Sequence, residues 1–116
     1  MDGLDGMMNF QAQALALRSR RQELLAANIA NADTPNYKAV DFDFASALRN
    51  ATAKHAAPAT PPQTLYRVPS QPSLDGNTVE MDAERAQFAD NSVRHEAAMR
   101  FLTAQIKTML AAVTGS

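Results

Sequence analysis

The sequence predicts an all-α chain in which long N- and C-terminal helices pack as a coiled-coil hairpin, joined by an irregular, proline-rich connector. Three observations carry this expectation. Residues 7 to 32 and 81 to 113 contain neither proline nor glycine. Hydrophobic residues make up 46% of the chain but aromatics only 6%, and the abundance of alanine suits helices in close contact rather than a bulky core. Pro58, Pro61, Pro62, Pro69 and Pro72 all fall between the two stretches. The expected division is 1–33 for an N-terminal axial helix, 34–50 for a turn and short helix, 51–76 for the connector and 77–116 for a C-terminal axial helix.

In the first stretch, Met8, Leu15, Gln22 and Ile29 recur every seven residues. Phe10, Ala14, Leu17, Leu24 and Leu25 widen the apolar arc beyond what a two-stranded seam needs. Arg18, Arg21 and Gln22 intrude on it. A wide stripe with polar intrusions fits a helix that touches several neighbours. The cluster Arg18-Ser19-Arg20-Arg21 reads first as a solvated face partly paired with Glu23, and more sharply as a contact for acidic groups on neighbouring subunits.

That helix should end within Asn28 to Lys38. Asn31 and Asp33 compete with the backbone for hydrogen bonds. Thr34 precedes a proline and is pushed toward extended geometry. Pro35 fixes φ and Asn36 tolerates φ > 0, so the pair suits the centre of a turn. Tyr37 offers a large, half-polar ring just past the corner.

Asp41 or Asp43 can cap a short helix reaching about Asn50, with Phe42, Phe44 and Leu48 on one side. In the connector, Leu65 to Val68 reads as a brief extended piece and Asp75-Gly76 as a turn. Asn77, with Glu80 three residues on, has the form of a capping box, and Glu80, Asp82 and Glu84 suit a positive helix end. From Met81, steps of four and three give Arg85, Phe88, Ser92, His95, Met99, Leu102, Ile106, Met109 and Val113. Met81, Phe88, Met99, Leu102, Ile106, Met109 and Val113 make this a sustained heptad seam, with three polar interruptions.

Composition excludes several functions. Lys+Arg 11 against Asp+Glu 12 gives a net charge of -1, which argues against binding driven by phosphate neutralisation, so no nucleic-acid partner is expected. Cysteine is absent, removing disulfides, thiolate nucleophiles and Cys-based metal sites. No run of about 18 apolar residues exists, so no transmembrane segment is expected. Asp2 and Asp5, with no basic region before an apolar run, predict no cleavable signal peptide. His55 and His95 are the only imidazoles. Neither has acids at metal-ligand spacing, and no glycine-rich phosphate loop occurs. No catalytic residue, cofactor or metal site is expected, and His95 reads as a packed residue of the seam.

Ala26-Ala27-Asn28-Ile29-Ala30-Asn31-Ala32-Asp33-Thr34-Pro35 resembles the N-terminal signature of the flagellar rod, hook and hook-associated axial proteins. That signature usually continues Gly-Tyr, and here Asn36 stands in the glycine's place. Gly76 to Glu84, followed by Phe88-Ala89-Asp90-Asn91, is similar to the C-terminal motif of the same family. Leu15 to Leu25 and the run Asp41 to Leu48 look most like its proximal rod protein B subgroup. The resemblance implies a structural subunit of the bacterial flagellar basal body, part of the axial drive shaft that transmits motor torque. It also implies export through a dedicated type III apparatus, with Asn28, Asn31, Asp33, Thr34, Pro35, Asn36 and Tyr37 as the turn motif used in assembly. Implied partners are other copies of the chain, other rod proteins, the inner-membrane ring or its adaptor protein, and the export apparatus. The alternative is a soluble coiled-coil adaptor or export chaperone. An adaptor would form a small closed oligomer, whereas a rod subunit makes contacts that continue helically.

Overall fold

A computed structural model describes residues 2–53, 64–66 and 74–115. Helix α1 spans Asp2–Ala30, strand β1 Val40–Asp41, helix α2 Phe44–Thr52, strand β2 Leu65–Tyr66 and helix α3 Met81–Thr114. The all-α hairpin expected from the sequence is the architecture found. α1 and α3 run antiparallel and in register: Asn28 meets Glu84, Gln22 meets Ser92, Ser19 meets His95, and Met7 meets Gln105. The molecule measures 64 × 30 × 18 Å, so its long axis is that of the two helices.

α1 starts at Asp2 and takes Gly3 and Gly6 into its first turns. The following chain turns back along α1. α2 begins where Asp43, in extended geometry, accepts the backbone N–H of Ser46, a regular N-cap. It packs on α1, and Arg18 lies over the Phe44 ring at 4.1 Å.

Three expectations need correction. Asn77 does not cap α3: the N-cap position is Glu80, with no side-chain cap bond, because Thr78 and Val79 remain extended. Thr78 is held there by its N–H, which donates to Tyr37 O at 2.9 Å, and by its hydroxyl oxygen, which accepts Ala39 N–H at 2.8 Å. A two-residue antiparallel ladder, Val40 opposite Tyr66 and Asp41 opposite Leu65, also forms where no strand pairing was expected. Finally, the packed register of α3 differs from the apolar heptad. Besides Met81, Gln87 and Ser92, its buried and half-buried positions run Glu84, Phe88, Asn91, His95, Ala98, Leu102, Gln105 and Met109. Every second step therefore lies one residue before the expected one, at 84, 91, 98 and 105. Met81, Phe88, Leu102 and Met109 are half-buried, whereas Met99, Ile106 and Val113 are exposed, Val113 by 76%. Most of the proline-rich connector lies outside the described residues, as do His55 and the expected extended residues Arg67 and Val68.

The apolar core is small. Among the described residues, Ala14, Leu25, Ala39 and Phe42 are its buried members, and Asn28, Asn77, Glu84 and Asn91 are as deeply buried. Polar side chains therefore hold the end of the hairpin where the chain turns.

Candidate assembly site at the closed end of the hairpin

The last turn of α1 leaves carbonyls without helical partners, as every helix C-terminus does. Asn31 N–H is shared between Ala27 O and Asn28 O, at 3.1 and 3.2 Å, and Ala32 N–H tightens onto Ile29 O. Asn31 Nδ2 returns to Ala27 O at 2.8 Å, and Thr34 Oγ1 donates to Asn31 Oδ1 at 3.0 Å. Tyr37 N–H closes the turn onto Thr34 O at 3.2 Å, with Pro35 and Asn36 at its centre. Asn36 has φ 63°, the left-handed geometry that a type II turn requires at this position.

The second half of the site arrives from the other end of the sequence. Asn77 Nδ2 faces three carbonyls of the turn, Asn31 O at 2.9 Å, Ala32 O at 3.0 Å and Thr34 O at 2.6 Å. Its Oδ1 accepts Val79 N–H at 2.7 Å, so one side chain ends α1 and steers the chain into α3. Asn36 N–H donates to Asp75 O at 2.9 Å, and Lys38 Nζ donates to Gly76 O at 2.5 Å. Gly76 has φ 74°, and a Cβ placed on it would lie 2.3 Å from Asn36 Oδ1. The positive φ favours glycine here, and any side chain would also displace the Asn36 amide.

One turn below, Asn28 is fully buried and uses its whole amide. Its Nδ2 donates to Val40 O at 2.7 Å and to Glu84 Oε2 at 3.0 Å, while Oδ1 accepts Val40 N–H at 3.0 Å and the Tyr37 hydroxyl at 3.3 Å. It thereby joins α1, β1, the turn and α3. Arg21 makes a two-pronged contact with Asp41, Nε to Oδ1 and Nη2 to Oδ2 both at 3.0 Å, and reaches Gln87 Oε1 at 2.9 Å. Further along, Asn91 Nδ2 donates to Arg18 O at 2.9 Å and Gln22 Oε1 at 2.7 Å, and Gln22 Nε2 donates to Ser92 Oγ at 2.5 Å.

The arginine cluster is therefore not a uniform solvated face. Arg21 pairs with Asp41 rather than Glu23. Burial holds the Arg18 guanidinium below its ordinary value, helped by the like charges of Arg94 and Arg21. Arg20 is exposed. His95 is half-buried and bonds through Nε2 to Ser19 Oγ at 3.0 Å.

Of the turn residues singled out in the sequence, the structure brings Asn28, Asn31, Thr34, Asn36 and Tyr37 into one network, while Asp33 and Pro35 face solvent. Sequence reasoning missed the tying roles of Asn77, Glu84, Arg21 and Asp41. The available signal was an excess of polar residues on the packed faces. Among the described residues no group of His, Cys, Asp and Glu is arranged to hold a metal. The site offers dense backbone-directed hydrogen bonding, which fixes geometry and performs no chemistry.

The family described as "Flagella basal body rod protein" matches residues 8–38, most of α1 and the whole turn. The chain is 47% identical to the flagellar basal body rod protein FlgB of Salmonella typhimurium, over 99% of this chain and 98% of that protein. It is 49% identical to FlgB of Escherichia coli K12, over 95% and 94%. Against FlgB of Cereibacter sphaeroides the identity is 42%, over 99% of both chains.

Proposed function

The chain belongs to the flagellar basal body rod protein family, and on that premise we propose that the α1–α3 hairpin is its axial module and the Asn28–Tyr37 turn its assembly site. The protein is a structural subunit of the bacterial flagellar basal body, in the proximal rod that carries motor torque outward; it is not an enzyme. It assembles with other rod proteins.

One observation supports the finer reading. Two sequence signatures at opposite ends of the chain meet in one hydrogen-bonded clasp, Asn77 closing the turn after α1 and Asn28 holding Glu84 of α3. Such a clasp fixes how the two helices present themselves to neighbours, and bending or torsion applied to the shaft loads both helices together. The partners that fit are further copies of the chain, the inner-membrane ring or its adaptor protein, and the export apparatus. Among the described residues no helix is long and apolar enough to cross a membrane.

Electron microscopy of purified basal bodies tests the reading, with cross-linking to the inner-membrane ring as the finer measurement. Density for the hairpin at the base of the rod, with its closed end at subunit boundaries, is the expected result. A chain absent from basal bodies and recovered only as a small closed oligomer would overturn it and favour an adaptor.

A further inference from the structure

The two long flanks of the hairpin differ. One is covered: α2 and β1 lie there, fastened by Arg18 over Phe44 and Arg21 to Asp41. Glu23 follows Arg21 by two residues, which places it about 200° round α1, on the opposite flank. That flank carries a hollow of about 490 Å³, bounded by Ser19, Glu23 and Ala26 of α1 and Phe88, Ser92 and His95 of α3.

Ser19 and Ala26 add little bulk to the α1 rim of the hollow, where Ser19 bonds to His95 of α3 at 3.0 Å. Phe88 is half-buried and forms an apolar wall. Glu23 is exposed at the rim, and among the described residues its carboxylate has no ion pair, although Arg20 is one turn away. An apolar wall beside a free carboxylate fits a long cationic side chain: the stem lies on the ring and the charge reaches the carboxylate.

The covered flank carries a matching group. α2 presents Ala45, Arg49 and Asn50 to solvent, and Arg49 stands in its last turn. The Arg49 guanidinium meets the Ser46 hydroxyl and the field of exposed Asp43, which leaves it available for a stronger partner. Small Ala45 one turn away lets another helix come close.

We infer that the Glu23 hollow is the socket for α2 of a second copy of this chain, with Arg49 seated against Phe88 and paired with Glu23. This rests on the rod reading and deepens it. Plug and socket lie on opposite flanks, so the contact is heterologous and repeats from copy to copy instead of closing a two-fold dimer.

The chain has no cysteine, so an introduced pair is unique. The test uses full-length E23C/R49C in basal bodies, under mild oxidation, beside the charge reversals E23R, R49E and E23R/R49E. A ladder of disulfide-linked multimers beginning at the dimer is expected, because the two positions face away from each other within one chain and the contact repeats. Each single reversal should reduce swimming-halo diameter at least twofold, and the double reversal should recover most of it, an outcome that misfolding does not give. If an epitope-tagged chain is present in purified basal bodies, yet no 23–49 dimer forms or the double reversal does not rescue, the socket inference is overturned and the rod reading stands. Impairment by E23R alone, with R49E neutral, overturns it by assigning the socket to a different protein's cation. Absence of the unsubstituted tagged chain from basal bodies overturns the rod reading itself.

Discussion

At the scale of single residues, the clasp depends on two positions that contribute no apolar surface. Asn77→Ala removes the donor facing three carbonyls at the end of α1. With each such bond contributing a net of about 1 kcal/mol, the loss should be about 2–3 kcal/mol. It should appear as a lower urea midpoint for dissociation of the assembled protein and as faster amide exchange over residues 28–34. An unchanged midpoint would mean that water replaces the amide without cost. Gly76→Ala should also be harmful, since φ 74° disfavours a Cβ and the Asn36 amide would have to move aside. Adding Asn36→Gly relieves the second obstacle and leaves the first. The double variant should therefore recover part of the lost stability, measured on the same denaturation curve. Asn36 was legible as a turn residue from its neighbour Pro35. Its hold on Gly76 was not, because a contact across 40 residues leaves no local trace in composition.

At the scale of elements, absent prolines and glycines made both long helices legible, and Pro35 with Asn36 located the break after α1. The start of α3 was misplaced for a definite reason. Asn77 followed by Glu80 satisfies the local rule for a cap, but Thr78 is already committed to Tyr37 and Ala39, so the helix begins only at Met81. The seam of α3 was half legible. Weighting apolar residues selected the stripe through Met99, Ile106 and Val113, whereas the packed register passes through Glu84 and Asn91, whose burial depends on partners in α1. α2 yields a pH prediction. The Asp43 carboxyl is held below its ordinary 3.8 chiefly by the backbone N–H of Ser46, then by its hydroxyl. A depressed carboxylate stabilises the folded form fully above 3.8 and loses that contribution as pH falls through the lowered value. Amide exchange at Ser46 and Ala47 should therefore quicken as pH drops below about 4, relative to the intrinsic rate, and Asp43→Ala should abolish the pH dependence. Asp43→Asn, which still caps but does not titrate, should keep protection at all pH values.

At the scale of the whole molecule, the balance of buried and exposed surface points to a subunit completed by its neighbours. Four buried apolar residues among those described are few for a chain of 116. Phe10, Met99, Phe101, Ile106, Leu110 and Val113 meanwhile stay exposed toward the open end. Their burial is worth about 25 cal/mol for each Å² removed from water, while ordering each residue costs about 1–2 kcal/mol. The dilute monomer should accordingly show much less helix by far-UV circular dichroism than the rod-incorporated protein, with rapid hydrogen exchange toward both chain ends. Full helicity and slow exchange in the dilute monomer would contradict this and favour a self-contained fold. The polar clasp explains why partial order should persist at residues 21–41 and 75–91, where side chains rather than apolar area hold the structure. Composition foretold the small core, whereas its replacement by asparagines and a glutamate could be read only from the fold.

The antiparallel course of α1 and α3 also sets a sequence of events in time. Contacts at the clasp join residues about 45 apart, Asn77 to Ala32, while those toward the open end join residues nearly 100 apart, Met7 to Gln105. Closing the shorter loop costs less entropy, so the hairpin should nucleate at the clasp and zip toward its free ends. α1 lacks its long antiparallel partner until α3 has been made, because α3 follows every other described element. Whichever end leads, a chain threaded through a pore has one helix without its mate until the turn has passed. The fold's own topology therefore delays closure until most of the chain is free.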